Sequence, residues 1–139
     1  MQPRFPGFAV TVQSSHIDMF GHVNHTRYLE YMEWARFAWA DHGGAPIPVM
    51  VARDRIGPAI LRAEVRYRRE CRMGNELWVT VEPISARRDI GRLRQVITDR
   101  ATDEVVCDAE LTFVMLDLDA RKATRLPALF LDQLAGRRP

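Results

Sequence analysis

His16-Ile17-Asp18-Met19-Phe20-Gly21-His22-Val23-Asn24-His25 is a short polar run that ends where an apolar helix begins. Asn24 suits the cap of that helix, because its side-chain oxygen can accept from the free N–H groups of a first turn. The spacing then predicts a helix from His25 to Asp41, closed by Gly43-Gly44. At ~1.5 Å per residue this makes a rod of roughly 25 Å. Tyr28, Leu29, Tyr31, Met32, Trp34, Ala35, Phe37, Ala38 and Trp39 cover most of its circumference. Glu30, Glu33 and Arg36 leave a narrow polar stripe, with Glu33 and Arg36 spaced to pair at i, i+3. A helix apolar nearly all round has to be wrapped by something.

The rest of the chain supplies the wrapping. Upstream, Phe8 to Gln13 is rich in β-branched and aromatic types and reads as a strand. Downstream, Ala59, Leu61, Ala63, Val65 and Tyr67 alternate with Ile60, Arg62, Glu64, Arg66 and Arg68. Leu77, Val79 and Val81 alternate in the same way, as do Val105, Cys107, Ala109, Leu111, Phe113 and Met115; Arg92 to Arg100 does so less cleanly. This period of two is that of antiparallel strands with one buried face. Turn-like connections fall at Met73-Gly74-Asn75, Asp89-Ile90-Gly91 and Thr102-Asp103. Val49 to Arg55 can form a short helix, and Pro127 to Leu134 a closing one with proline in its first turn. The expected fold is α+β: one strand, one long helix, then a four-stranded meander, giving five antiparallel strands wrapped around the helix.

Length and composition bound the function. A chain of 139 residues fits one domain, expected to span 1–139. With 47% hydrophobic and 27% charged residues it has the make-up of a soluble globular protein. No run of eighteen apolar residues is present, so no membrane span is expected. Met1 to Gly7 has no apolar core of a signal peptide, which makes the cytoplasm the expected compartment. A net charge of +2 is too weak and scattered to indicate nucleic acid as a partner. Cys71 and Cys107 are expected as thiols rather than a disulfide framework. Lys122 is the only lysine, so arginine, whose planar fork matches two phosphate oxygens, carries nearly all the positive charge.

The stretch from Asp18 through Gly21-His22-Val23-Asn24, with Tyr28, Tyr31, Glu33 and Ala35-Arg36 on the helix, resembles the signature of the hydroxybenzoyl-CoA thioesterase superfamily of hotdog proteins. Every element is present in order, and the strand pattern matches to about Leu118. The His16-Ile17-Asp18 opening and the run from Leu111 to Leu118 further resemble the bacterial long-chain acyl-CoA thioesterase subgroup. The resemblance implies a hotdog fold and hydrolysis of a medium- to long-chain fatty acyl-CoA. It implies no metal and no cofactor, coenzyme A being part of the substrate, and a homodimer or homotetramer with the site between subunits. It places Asp18 as nucleophile or general base and the backbone N–H of His25 at the oxyanion.

The physics of the stretch is independent of that resemblance. A helix start has unbonded N–H groups and the positive end of a dipole. A thioester carbonyl held there is polarised, its oxyanion is stabilised, and a nearby carboxylate stays ionised and ready to act. His16, His22, Asn24 and Tyr28 are expected to order or line the substrate site, with His22 and Asn24 tying down the loop. Arg68, Arg69, Arg87 and Arg88, near strand ends, are the candidates for the nucleotide phosphates. His16, His22 and His25 lie across a loop rather than on one helix face, which argues against a metal site. Ser14, Ser15, Cys71 and Cys107 lack a His-acid arrangement, which argues against a serine or cysteine hydrolase. The alternatives are a thioesterase for acyl carrier protein or aryl-CoA, a non-catalytic module that binds acyl thioesters, and a dehydratase, whose histidine pattern is not matched.

Overall fold

A computed structural model describes residues 4–134. Seven strands form one antiparallel sheet: β1 (Phe8–Thr11), β2 (Ile56–Tyr67), β3 (Glu76–Val79), β4 (Glu82–Arg87), β5 (Ile90–Asp99), β6 (Val105–Asp117) and β7 (Lys122–Thr124). The helices are α1 (His25–His42), α2 (Ile47–Val49), which runs into a π-helical turn at Met50–Asp54, and α3 (Ala128–Leu134). The main path across the sheet is β1-β3-β5-β6-β2, with β4 pairing β5 and β7 pairing β6.

The five expected strands are that main path, and the two additional segments have local causes. The third expected strand is broken at Thr80, whose hydroxyl and amide turn to the backbone of Val96, so β4 starts anew at Glu82. β7 is only three residues long and was not legible as alternation. The meander is corrected as well. β2 precedes β3 in the chain but sits at the far edge against β6, because α1 and the chain on either side carry it across the sheet.

β2 corrects the expected alternation. Ile60 opposes Phe113 and Arg62 opposes Thr112, so Leu61 is an extra residue in a bulge. Upstream of it the phase flips: Pro58 and Ile60, rather than Ala59 and Leu61, stand opposite the buried Met115 and Phe113. Downstream the expected phase holds, with Ala63, Val65 and Tyr67 opposite Leu111, Ala109 and Cys107.

Helix α1 starts and stops for the anticipated reasons. Asn24 caps it, and Gly44, at φ +85°, ends it in a conformation that a side chain would strain. Tyr28, Tyr31, Met32, Ala35, Trp39 and Ala40 make its buried face. The opposite side is left partly open among the described residues: Leu29, Trp34 and Phe37 stay 38, 39 and 40% exposed. The expected Glu33–Arg36 pair is replaced. Arg36 Nη1 donates to Gln95 Oε1 at 2.9 Å, and Glu33 acts on it only as a nearby charge. Gln95, fully buried on β5, also donates to the helix carbonyl of Met32 at 3.0 Å, so one side chain pins α1 to the middle of the sheet. Among the described residues no helix is long and apolar enough to cross a membrane.

Candidate active site

Residues 16–24 fold into a miniature hairpin. Asn24 N donates to His16 O at 3.0 Å, Ile17 bridges Val23, and Asp18 N donates to His22 O at 3.0 Å. Gly21, at φ +84°, closes the tip by donating to Asp18 O at 3.0 Å, a backbone conformation that favours glycine. Val23 N donates to Cys71 O at 2.8 Å and docks the hairpin on the chain beyond β2.

This hairpin brings Asp18 back to the helix start. Asp18 Oδ1 accepts from Phe20 N at 2.9 Å, and Oδ2 accepts from Asn24 Nδ2 at 3.3 Å. The same Asn24 side chain caps α1, its Oδ1 accepting from Thr26 N at 3.0 Å and from Thr26 Oγ1 at 2.7 Å. Asn24 O takes the amide of Arg27 at 2.9 Å. The cap thus occupies the amides of Thr26 and Arg27. Among the described residues the amide of His25 has no hydrogen-bond partner. A free N–H and the positive end of a helix dipole therefore lie one residue from the asparagine that holds the carboxylate.

A cleft of about 350 Å³ opens at this point, walled by Asp18, Phe20, His22, His25, Tyr28 and Tyr67 and floored by Arg68, Arg69 and Glu70. The structure gathers most of the expected residues but sends the three histidines different ways. His16 is turned inward behind the hairpin, its Nδ1 accepting from Gln13 N at 3.2 Å and sharing a 2.8 Å hydrogen bond with Tyr31 Oη, so it orders the loop and does not line the cleft. His22 Nδ1 meets Val23 O at 3.2 Å, and its Nε2 lies 3.7 Å from Glu70 Oε2. His25 stands exposed, edge-on to the Tyr67 ring. Tyr28 is buried and directs its hydroxyl to Arg69 O at 3.4 Å. Desolvation raises its pKa, which keeps it a neutral wall. Cys107 is pushed up to about 12 by burial, and Cys71 is likewise raised, so neither presents a thiolate.

Sequence reasoning missed Tyr67 and Glu70. Tyr67 was legible as an inward strand residue, but only the tertiary approach of β2 to α1 makes it a cleft wall. Nothing in the sequence pointed to Glu70, which holds Arg72 at 3.1 Å while Arg72 Nη1 donates to Gly21 O at 3.1 Å. That strap ties the hairpin tip to the chain beyond β2.

The four arginines do not form one group. Arg68 and Arg69 border the cleft, but Arg68 is ion-paired with the buried Asp108 and Arg69 with Glu104. Arg87 and Arg88 lie at the opposite end of the sheet. Tyr67 sits opposite Cys107, whereas Arg87 pairs with Ile90 and Ile90 with Val114. From Cys107 to Val114 is about 23 Å along β6 at ~3.3 Å per residue.

The chain is similar to known proteins along most of its length. A family model described as the thioesterase-like superfamily matches residues 12–134. The long-chain acyl-CoA thioesterase FadM of Escherichia coli K12 is 32% identical over 125 residues, covering 90% of this chain and 93% of that protein. The crystal structure of YbaW, a probable thioesterase from Escherichia coli, superposes with a TM-score of 0.74 at 30% identity, over 92% of this chain and 94% of that one. Slr0204, a 1,4-dihydroxy-2-naphthoyl-CoA thioesterase from Synechocystis, superposes with a TM-score of 0.85 at 16% identity, over 92% and 93% of the two chains.

The environment of His16 generates a pH test. Its Nδ1 accepts a backbone N–H and so must be unprotonated, and burial, with Arg27 nearby, lowers its pKa. With the folded value below the unfolded one, the unfolded state binds the proton more readily. The stabilisation is therefore full above the ordinary value of about 6.5 and is lost as pH falls through the lower folded value. Urea titrations of wild type and His16→Asn are expected to differ most above pH 7 and to converge on acidification. A difference in stability that grows on acidification would refute this role.

Proposed function

The chain belongs to the thioesterase-like superfamily, has its hotdog fold and is a thioester hydrolase, and from that premise we propose that it cleaves medium- to long-chain fatty acyl-CoA to free acid and coenzyme A. The observation that carries the proposal is the carboxylate of Asp18, tied by Asn24 to the helix start where the amide of His25 is free. A thioester carbonyl oxygen seated at that amide is polarised before attack. Asp18 then acts in one of two ways. As a base it takes a proton from water, and the hydroxide adds to the carbonyl carbon; as a nucleophile its own oxygen adds, and water later hydrolyses the anhydride. In both, negative charge builds on the carbonyl oxygen beside the amide, the C–S bond breaks, and the thiolate leaves with coenzyme A.

We also propose a homo-oligomer. β2 is a twelve-residue edge strand, and Ile60, Leu61 and Tyr67 on it are 43, 60 and 47% exposed. Antiparallel pairing of two copies through β2 sets the Arg87–Arg88 end of one sheet beside the Asp18 end of the other, which supports phosphate contacts made across the pair.

Three outcomes are expected. Asp18→Asn removes the charge at constant size and should lower kcat by at least ~10²-fold, whereas His25→Ala keeps the amide and should cost far less; His16→Ala and His22→Ala should fall between. A folded Asp18→Asn enzyme with near-normal turnover would end the assignment. In a hydrolysis screen, C10 to C16 acyl-CoAs should outpace short and aromatic ones, because each buried methylene adds ~0.8 kcal/mol of binding; the reverse order would remove the fatty acyl reading. Light scattering should return a multiple of 16.0 kDa, and charge reversal at Arg87 and Arg88 should raise KM with little change in kcat. A monodisperse monomer with unchanged KM would dispose of the composite site.

A further inference from the structure

The Asp18 cleft and a second, largely apolar pocket both draw on α1 and β2. The cleft takes His25 and Tyr28 from α1 and Tyr67 from β2. The pocket, about 220 Å³ and largely apolar, takes Phe37 and Trp39 together with the charged Glu33 and Arg36 from α1, and Pro58 and Ile60 from β2. The two elements run in opposite senses, so the pocket lies further along the same furrow. Between the two sites the inner side of β2 carries Val65 and Ala63, and α1 carries the half-exposed Leu29. A track between α1 and β2 thus leads from the free amide of His25 to the pocket, apolar except where Glu33 and Arg36 border it.

The far end of the track is closed by α3. Phe130, 2% exposed, reaches in from this helix and meets Trp39 edge-to-face at 5.5 Å and Phe113 at 5.7 Å. Trp39 and Phe113 belong to α1 and β6, so their positions are set by the body of the fold. Phe130 is delivered by a seven-residue helix that packs on β4 and β5 from outside the main path of the sheet. It is the one aromatic of the three that can change without remaking α1 or the central strands.

Resting on the acyl-CoA reading above, we propose that Phe130 is the stop that sets the longest acyl chain the enzyme accommodates. The track gives the length. Tyr28 and Trp39 are eleven residues apart on α1, about 16 Å at ~1.5 Å per residue. An extended hydrocarbon of ~1.5 Å bonds advances about 1.25 Å per carbon, so ~13 carbons fill that distance. Chains up to this length gain about fourfold in binding per added methylene, and longer ones meet the Phe130 ring.

The test is a ladder of saturated acyl-CoAs from C8 to C20, with kcat/KM measured for wild type, Phe130→Ala, Phe130→Leu and Phe130→Trp. The same ladder of free fatty acids is run in parallel as a displacement assay against a fluorescent fatty acid. Phe130→Ala and Phe130→Leu are expected to move the optimum up by about two to four carbons, and Phe130→Trp to shorten it. Leu131→Ala, on the same helix but away from the pocket lining, is expected to leave the profile in place. Should Phe130→Ala fail to fold, Phe130→Leu and Phe130→Trp decide the matter. An optimum that ignores residue 130 in both assays overturns the proposal, as does an equal shift from Leu131→Ala. If no acyl-CoA is hydrolysed but the fatty-acid optimum still follows residue 130, the reaction assigned above fails while the stop stands.

Discussion

The side chain of Asn24 faces two ways. Its carbonyl oxygen satisfies the amide of Thr26 and so begins α1, and its NH₂ group reaches back to Asp18. A cap of this kind stabilises a helix by ~1 kcal/mol, a modest contribution. Its greater consequence is geometric, because the fold cannot form the helix start without also setting the position of the carboxylate. The hairpin of residues 16–24 supports the arrangement from the other side, with His16 and Tyr31 beneath it and the Glu70–Arg72 strap at its tip.

The helix so begun is held along its length by one polar contact in an apolar interface. Gln95 lies at the centre of β5 and binds both the main chain of α1 and the guanidinium of Arg36. An unpaired polar group there would cost about 1–3 kcal/mol, so the pair of contacts selects one rotation and one height of the helix over the sheet. With that rotation set, Tyr28, Tyr31 and Met32 face inward, Leu29 stays half-exposed and Phe37 lines a pocket with Pro58 and Ile60 of β2. The track proposed for the acyl chain lies between a helix so held and a strand that is the edge of the sheet among the described residues.

Charge on the outer side of the sheet is largely neutralised between neighbouring strands. Arg68 pairs with Asp108 and Arg92 with Glu110, while Arg69 reaches Glu104 in the turn before β6. A phosphate arriving at Arg68 or Arg69 must compete with a carboxylate already in place. Arg87 and Arg88, exposed at the β4–β5 turn, carry no such partner among the described ion pairs. This asymmetry favours the far-end arginines over Arg68 and Arg69 as anion contacts.

What the sequence by itself determined is local. Asn24 and Gly43-Gly44 bound α1 because capping is decided within a few residues, and the period of two in β6 named its buried face. Asp18 was singled out because, with Gly21-His22-Val23-Asn24 behind it, it resembles a family signature confined to one short stretch of chain. What only the tertiary structure decided involves residues distant in sequence. The bulge at Leu61 re-phased β2, β2 crossed to the far edge, and Gln95 displaced Glu33 as the partner of Arg36. His16, expected at the substrate, lies behind the loop because the inward ring of Tyr31 offers its buried nitrogen a hydroxyl. Tyr67, Glu70 and Phe130 acquire roles only where α1, the chain after β2 and α3 meet, and pairing at that range leaves no periodicity for a sequence to show.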